Sequence, residues 1–142
     1  MNAVLDSCPF GPVVAEPLPR VVVVDDSRAS LALYSRSVAG IELDIMFFES
    51  PRQGLDYLQT HPADLIFLGN LMRETDGMTL LRRLRATALH ASTCVVIMST
   101  KDYEQDRDMA RELGASEYLV KPAPPQEIRQ VITKYTGAQL TV

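Results

Sequence analysis

The chain has 142 residues, a formal net charge of −4, 46% hydrophobic residues and 23% charged ones. That length and composition suit one globular core. An acidic balance without a basic stripe argues against generic nucleic-acid binding, and apolar runs such as Val21–Val24 and Cys94–Met98 are too short to cross a bilayer.

Residues 1–19 carry Pro9, Pro12, Pro17 and Pro19 and no basic residue before Arg20. They are expected to form a flexible arm. A secretory signal needs a positive start and a longer apolar stretch, so a cytoplasmic location is expected. Cys8 and Cys94 are too few for a disulfide framework, and neither has a Cys or His companion with zinc-site spacing.

From Arg20 onward, short apolar runs alternate with longer amphipathic stretches. Val21–Val24 is a β-branched run, read as a strand buried on both faces. Ser27 then caps a helix running to about Ala39, with Leu31, Leu33, Tyr34 and Val38 as its apolar positions. Leu43–Phe48 is the second strand. Ser50, Pro51 and Gln53 supply a cap, a first-turn proline and a capping-box partner for a helix that stops near His61-Pro62. Leu65–Leu68 is the third strand. The loop Gly69–Gly77 leads to a helix bearing Met78, Leu80, Leu81 and Leu84. Val95–Met98 is the fourth strand, and Asp102–Leu113 is a charged helix closed by Gly114. Tyr118–Val120 is the fifth strand. A last helix follows Pro122, Pro124 and Pro125 and runs to about Tyr135, burying Ile128, Val131 and Ile132. This alternation predicts a doubly wound α/β domain over residues 20–136, with helices on both faces of a parallel sheet and a tail at 137–142.

In such a sheet, ligands sit outside the carboxyl ends of the strands. Those ends carry Asp25-Asp26, Gly69, Ser99-Thr100 and Lys121-Pro122. Adjacent carboxylates after a strand suit a hard divalent cation, and a nearby lysine can pair with them or with a phosphate. Taken alone, Asp25-Asp26 is better explained as acids at a helix N-terminus; the whole constellation reverses that preference.

In this order on this fold, the fragments resemble the receiver-domain family of two-component signalling. The resemblance covers Arg20 to Tyr135. It rests on Val-Val-Asp-Asp at 23–26, Asp-Leu-Ile-Phe-Leu at 64–68, Asp-Gly at 76–77, Ile-Met-Ser-Thr at 97–100, Gly-Ala at 114–115 and Tyr-Leu-Val-Lys-Pro at 118–122. It implies a flavodoxin-like five-stranded sheet ordered 2-1-3-4-5 with five helices. It further implies that Asp25 and Asp26 bind magnesium, that Ser99 contacts a phosphoryl group and that Lys121 clamps it. Tyr118 would change rotamer with Ser99 in a switch, and the Lys121–Pro122 bond would be cis.

The chain departs from this pattern at the nucleophile. The family's phospho-accepting aspartate lies seven residues before the aspartate of Asp-Gly, which here is Gly69, and the count forward from Asp64-Leu65 agrees. Arg73 replaces the usual proline of the loop. Forming an acyl phosphate needs a carboxylate oxygen, and glycine has none. With two carboxylates facing one lysine, magnesium binding should be weak at most, and no cofactor is required.

The leading expectation is a non-enzymatic pseudo-receiver acting through a protein partner, such as a histidine kinase or an output domain. Its contact face would be the fourth helix, fifth strand and fifth helix, the first presenting Glu104, Asp106, Arg107, Asp108, Arg111 and Glu112. One alternative is phosphorylation at Ser99 or at an acid of the pair. Another is a receiver module within a larger regulator. A nucleotide-binding enzyme is disfavoured, because the first strand-to-helix turn is Asp-Asp-Ser-Arg rather than glycine-rich.

Overall fold

A computed structural model describes residues 17–141. The expected arm therefore lies outside the described residues up to position 16. Of its last residues, Pro19 is held to the fold through its carbonyl, which accepts from the Asp44 amide at 2.8 Å.

The main sheet is built from β1 (Arg20–Val24), β3 (Asp44–Phe48), β4 (Leu65–Gly69), β5 (Cys94–Ser99) and β6 (Glu117–Val120), all parallel and ordered β3-β1-β4-β5-β6. Counted within this sheet, the order is the expected 2-1-3-4-5. Five helices connect the strands: α1 (Arg28–Ser37), α2 (Pro51–Leu58), α3 (Gly77–Arg85), α4 (Glu104–Glu112) and α5 (Pro125–Thr136).

Side chains alternate across a strand, so each central strand feeds two cores. Val21, Val23, Phe67, Val96 and Met98 face α1 and α5, where they meet Tyr34, Ile128 and Ile132. Val22, Val24, Ile66, Leu68, Val95 and Ile97 face α2, α3 and α4, where they meet Leu58, Leu81 and Ala110. A fully buried leucine such as Leu81 contributes roughly 1.5–3 kcal/mol by its removal from water.

Caps set the helix starts. The side chains of Ser27, Ser50 and Asp76 accept from the amides of Ser30, Gln53 and Thr79, respectively. Past the end of α4, Gly114 adopts φ +88°, a left-handed conformation that closes a helix cheaply for glycine. The charged helix α4 begins at Glu104 and not at Asp102 as its sequence pattern predicts, because Tyr103 is still extended.

Two short features have no counterpart in the sequence reading. A turn of 3-10 helix covers Ala88–His90, and the tail returns as β7 (Gln139–Leu140), antiparallel to β2 (Ile41–Glu42). Two-residue strands carry no periodicity, so only their pairing reveals them. Among the described residues, no helix is long and apolar enough to cross a membrane.

Candidate functional site

Parallel pairing aligns Val24 with Leu68, Leu68 with Ile97, Gly69 with Met98, and Ser99 with Val120. The residues that follow these strands therefore share one rim. The rim contains the acids, the glycine, the hydroxyl and the lysine that the sequence places at strand ends.

Asp25 is the buried centre, its side chain only 1% exposed. Its backbone amide donates to the Phe48 carbonyl at 3.0 Å, which fixes the strand end, and its Oδ1 accepts from the Ser27 amide at 3.0 Å. Oδ2 lies 2.7 Å from the Lys121 ammonium. That contact is an ion pair rather than an aligned hydrogen bond, and Oδ2 has no other partner. The cause of this posture is visible at Gly69. A Cβ placed on that residue would lie 2.8–3.0 Å from the Asp25 carboxylate atoms. Asp25 thus leans into the volume that any side chain at position 69 would need.

Asp26 is held differently. The Arg73 amide donates to its Oδ2 at 2.8 Å, and the Arg73 Nε lies 3.5 Å from the same oxygen. The loop that carries Arg73 is drawn tight: Gly77 donates to the Asn70 carbonyl at 2.8 Å, and Leu71 bridges Asp76. A Cβ on Gly77 would meet the Gly69 carbonyl oxygen at 2.7 Å, so only glycine closes this loop. The sequence charge count leaves half of the acid pair uncompensated; the structure corrects it. Lys121 faces Asp25 and Arg73 faces Asp26, two cations for two carboxylates. In the sequence Arg73 stands out only as a replacement in the loop; its partner lies forty-seven positions away and is met only after folding.

Ser99 is buried, and its Oγ accepts from the Lys101 amide at 3.0 Å. Its carbonyl accepts from the Lys121 amide at 2.7 Å, which ties the hydroxyl strand to the lysine strand. Thr100, next in the chain, is exposed. The Lys121–Pro122 bond is cis. Tyr118 stands one layer away. Its hydroxyl donates to the Lys101 carbonyl at 2.7 Å, and the Arg107 guanidinium lies 5.0 Å from its ring centre. Below the site, the Tyr34 hydroxyl is buried without a partner. Burial first, and the nearby Asp25 charge second, push its phenol well above the usual tyrosine range. A cleft of about 460 Å³ opens beside the rim, lined by Asp26, Glu49, Ser50, Pro51, Arg73 and Glu74.

The response regulator receiver domain matches this chain over residues 21–133. The chain belongs to the receiver-domain family of response regulators. It is 30% identical over 111 residues to the cyclic di-GMP phosphodiesterase response regulator RpfG of Xanthomonas campestris pv. campestris, covering 77% of this chain and 29% of that protein. It is 28% identical over 109 residues to the alkaline phosphatase synthesis transcriptional regulatory protein PhoP of Bacillus subtilis, covering 77% of this chain and 45% of that protein. The chain thus spans less than half the length of these curated relatives. Among solved structures, the manganese-bound form of the response regulator Rcp1 superposes with a TM-score of 0.74 at 19% identity, covering 87% of this chain and 99% of Rcp1. The function class is therefore a receiver domain of two-component signalling.

The divalent cation that this fold can carry does not fit the donor set of this receiver. Gly69 offers no oxygen from a side chain, and both carboxylates already face a cation. Among the described residues, no three His, Cys, Asp or Glu side chains gather into a metal-binding group.

Proposed function

We propose that this chain is an atypical receiver, with Gly69 at the acceptor position, which signals through protein contacts and not through aspartyl phosphorylation. The observation that carries this reading is the occupation of the Gly69 side-chain volume by the Asp25 carboxylate, itself paired to Lys121. An acyl phosphate needs a carboxylate nucleophile pointing into the pocket. Here the one buried carboxylate is spent on the lysine. Ser99 does not substitute: its oxygen accepts from the Lys101 amide, and no base contacts it. Phosphoryl transfer through Ser99 or through an acid of the pair is therefore disfavoured.

In this reading the module is not an enzyme, needs no cofactor and binds magnesium weakly at most through Asp25 and Asp26. Its partner is a histidine kinase, an output domain or another signalling protein of the cytoplasm. Docking falls on the face formed by α4, β6 and α5. There Glu104, Met109, Arg111 and Glu112 are exposed, and Met109 supplies an apolar contact amid charges. Ser99 and Tyr118 form the switch, with Tyr118 held in one position by Lys101 and Arg107. The receiver unit covers residues 20–136, and the short share of its relatives that it spans is consistent with a module of a larger regulator.

The test is incubation with acetyl phosphate and magnesium, followed by intact-mass measurement under conditions that preserve acyl phosphates. No added phosphoryl mass is expected. A phosphoryl adduct mapped to Ser99, Asp25 or Asp26 would overturn the reading.

A further inference from the structure

We propose that Arg73 is a built-in counter-ion that takes the place of a divalent cation at the acid pair, and that it is this residue which closes the site to metal. Asp26 is the outer carboxylate, with 15% of its side chain exposed against 1% for Asp25. It is the natural entry point for a cation from solvent. The loop places both a main-chain N–H and a guanidinium on one oxygen of that residue. The N–H consumes a lone pair that a hard cation would otherwise use. The guanidinium adds a positive charge on the approach path.

The Arg73 side chain is 87% exposed, so its pairing with Asp26 is screened and adds little to stability. Its effect is on what can approach. A univalent charge several ångströms from a divalent ion, largely through water, weakens metal binding by about tenfold. Removing the side chain leaves Asp26 with its N–H contact but without the repelling charge. Lys121 still compensates Asp25, so the fold has no reason to open. Loss of the acceptor carboxylate alone would predict something different: metal affinity would then be low whatever stands at position 73.

Paramagnetic broadening by manganese of the amide NMR signals separates these two accounts. In the unmutated protein, millimolar manganese should leave the amides of residues 25–28 and 70–74 no broader than those of the remote surface. In Arg73→Ala, those amides should broaden selectively at concentrations about tenfold lower than any effect in the parent. Arg73→Lys, which keeps the charge, should behave as the parent. The double variant Arg73→Ala, Asp26→Asn should lose the broadening again, which excludes binding to unrelated surface carboxylates. Arg73→Ala behaving like the parent would overturn the proposal, as would selective broadening in the parent at the manganese concentrations that broaden the variant. Phosphoryl mass on the unmutated chain would defeat the non-phosphorylated reading and leave this one standing.

Discussion

The Lys121 ammonium lies 2.7 Å from a carboxylate oxygen of Asp25 that is sealed from solvent. That buried pair connects the first strand of the sheet to the last, since Asp25 follows β1 and Lys121 follows β6. It also explains how the fold tolerates two adjacent acids beside Gly69.

Breaking the pair from one side leaves an uncompensated buried charge. Lys121→Met should therefore destabilise the protein by about 3–5 kcal/mol, measured by urea unfolding. Asp25→Asn with Lys121→Met should cost clearly less than the sum of the two single changes, because the second removes the orphan left by the first. Additive losses would mean that the two groups do not sense each other.

Position 69 gives the sharpest steric test. Its Cβ would stand 2.8–3.0 Å from the Asp25 carboxylate, so Gly69→Ala must push that group aside and disturb its pairing. The expected cost is about 1–3 kcal/mol. Gly69→Asp meets the same obstacle. Phosphate acceptance by that variant requires Asp25 to rotate as well, so acetyl phosphate should label it slowly if at all. Full, rapid labelling of Gly69→Asp would show that the leaning posture of Asp25 is cheap to undo.

The α5 face carries a pH-sensitive contact. The Tyr135 hydroxyl donates to Glu117 at 2.6 Å, and Lys134 lies 3.1 Å from the same oxygen. The tyrosine hydrogen bond first, then Lys134, hold the Glu117 carboxyl below its ordinary value of 4.5. The Tyr135 phenol is raised above 10.0, chiefly by Glu117. A lowered carboxyl pKa contributes stability above the unfolded value, and that contribution disappears as pH falls through the folded value. A raised phenol pKa contributes below its unfolded value and loses it as pH rises through the folded one. Tyr135→Phe should therefore cost stability between about pH 5 and 9, with the difference from the parent narrowing at both extremes. A difference that stays constant from pH 3 to 11 in thermal melts would assign the effect to packing instead.

The restraint on Tyr118 should be separable into its parts. Tyr118→Phe deletes the bond to the Lys101 carbonyl and should cost about 0.5–1.5 kcal/mol. Arg107→Ala removes the cation over the ring and leaves the hydroxyl bond in place. In that variant the ring signals of Tyr118 should report a second conformer by NMR relaxation dispersion, absent from the parent. A single conformer in both would mean that the hydroxyl bond alone fixes the ring.

The sequence by itself determined the sheet and its helices. Five short β-branched or apolar runs alternate with amphipathic stretches, and that pattern leaves one economical way to bury both faces of a parallel sheet. It also determined which residues follow the strands, because a strand end is a local feature. The helix caps at Ser27 and Ser50 were legible for the same reason: a cap and its amide lie three residues apart. The β2–β7 pair was not, since two-residue strands leave no pattern to read. Only the tertiary structure decided the electrostatics of the rim. The pairing of Arg73 with Asp26 spans forty-seven residues of chain, and that of Lys121 with Asp25 spans more than ninety, so both form only on folding. The posture of Asp25 over Gly69 was equally hidden, because an absent side chain leaves no mark in the sequence of which neighbour occupies its volume, whereas in three dimensions the Asp25 carboxylate occupies it.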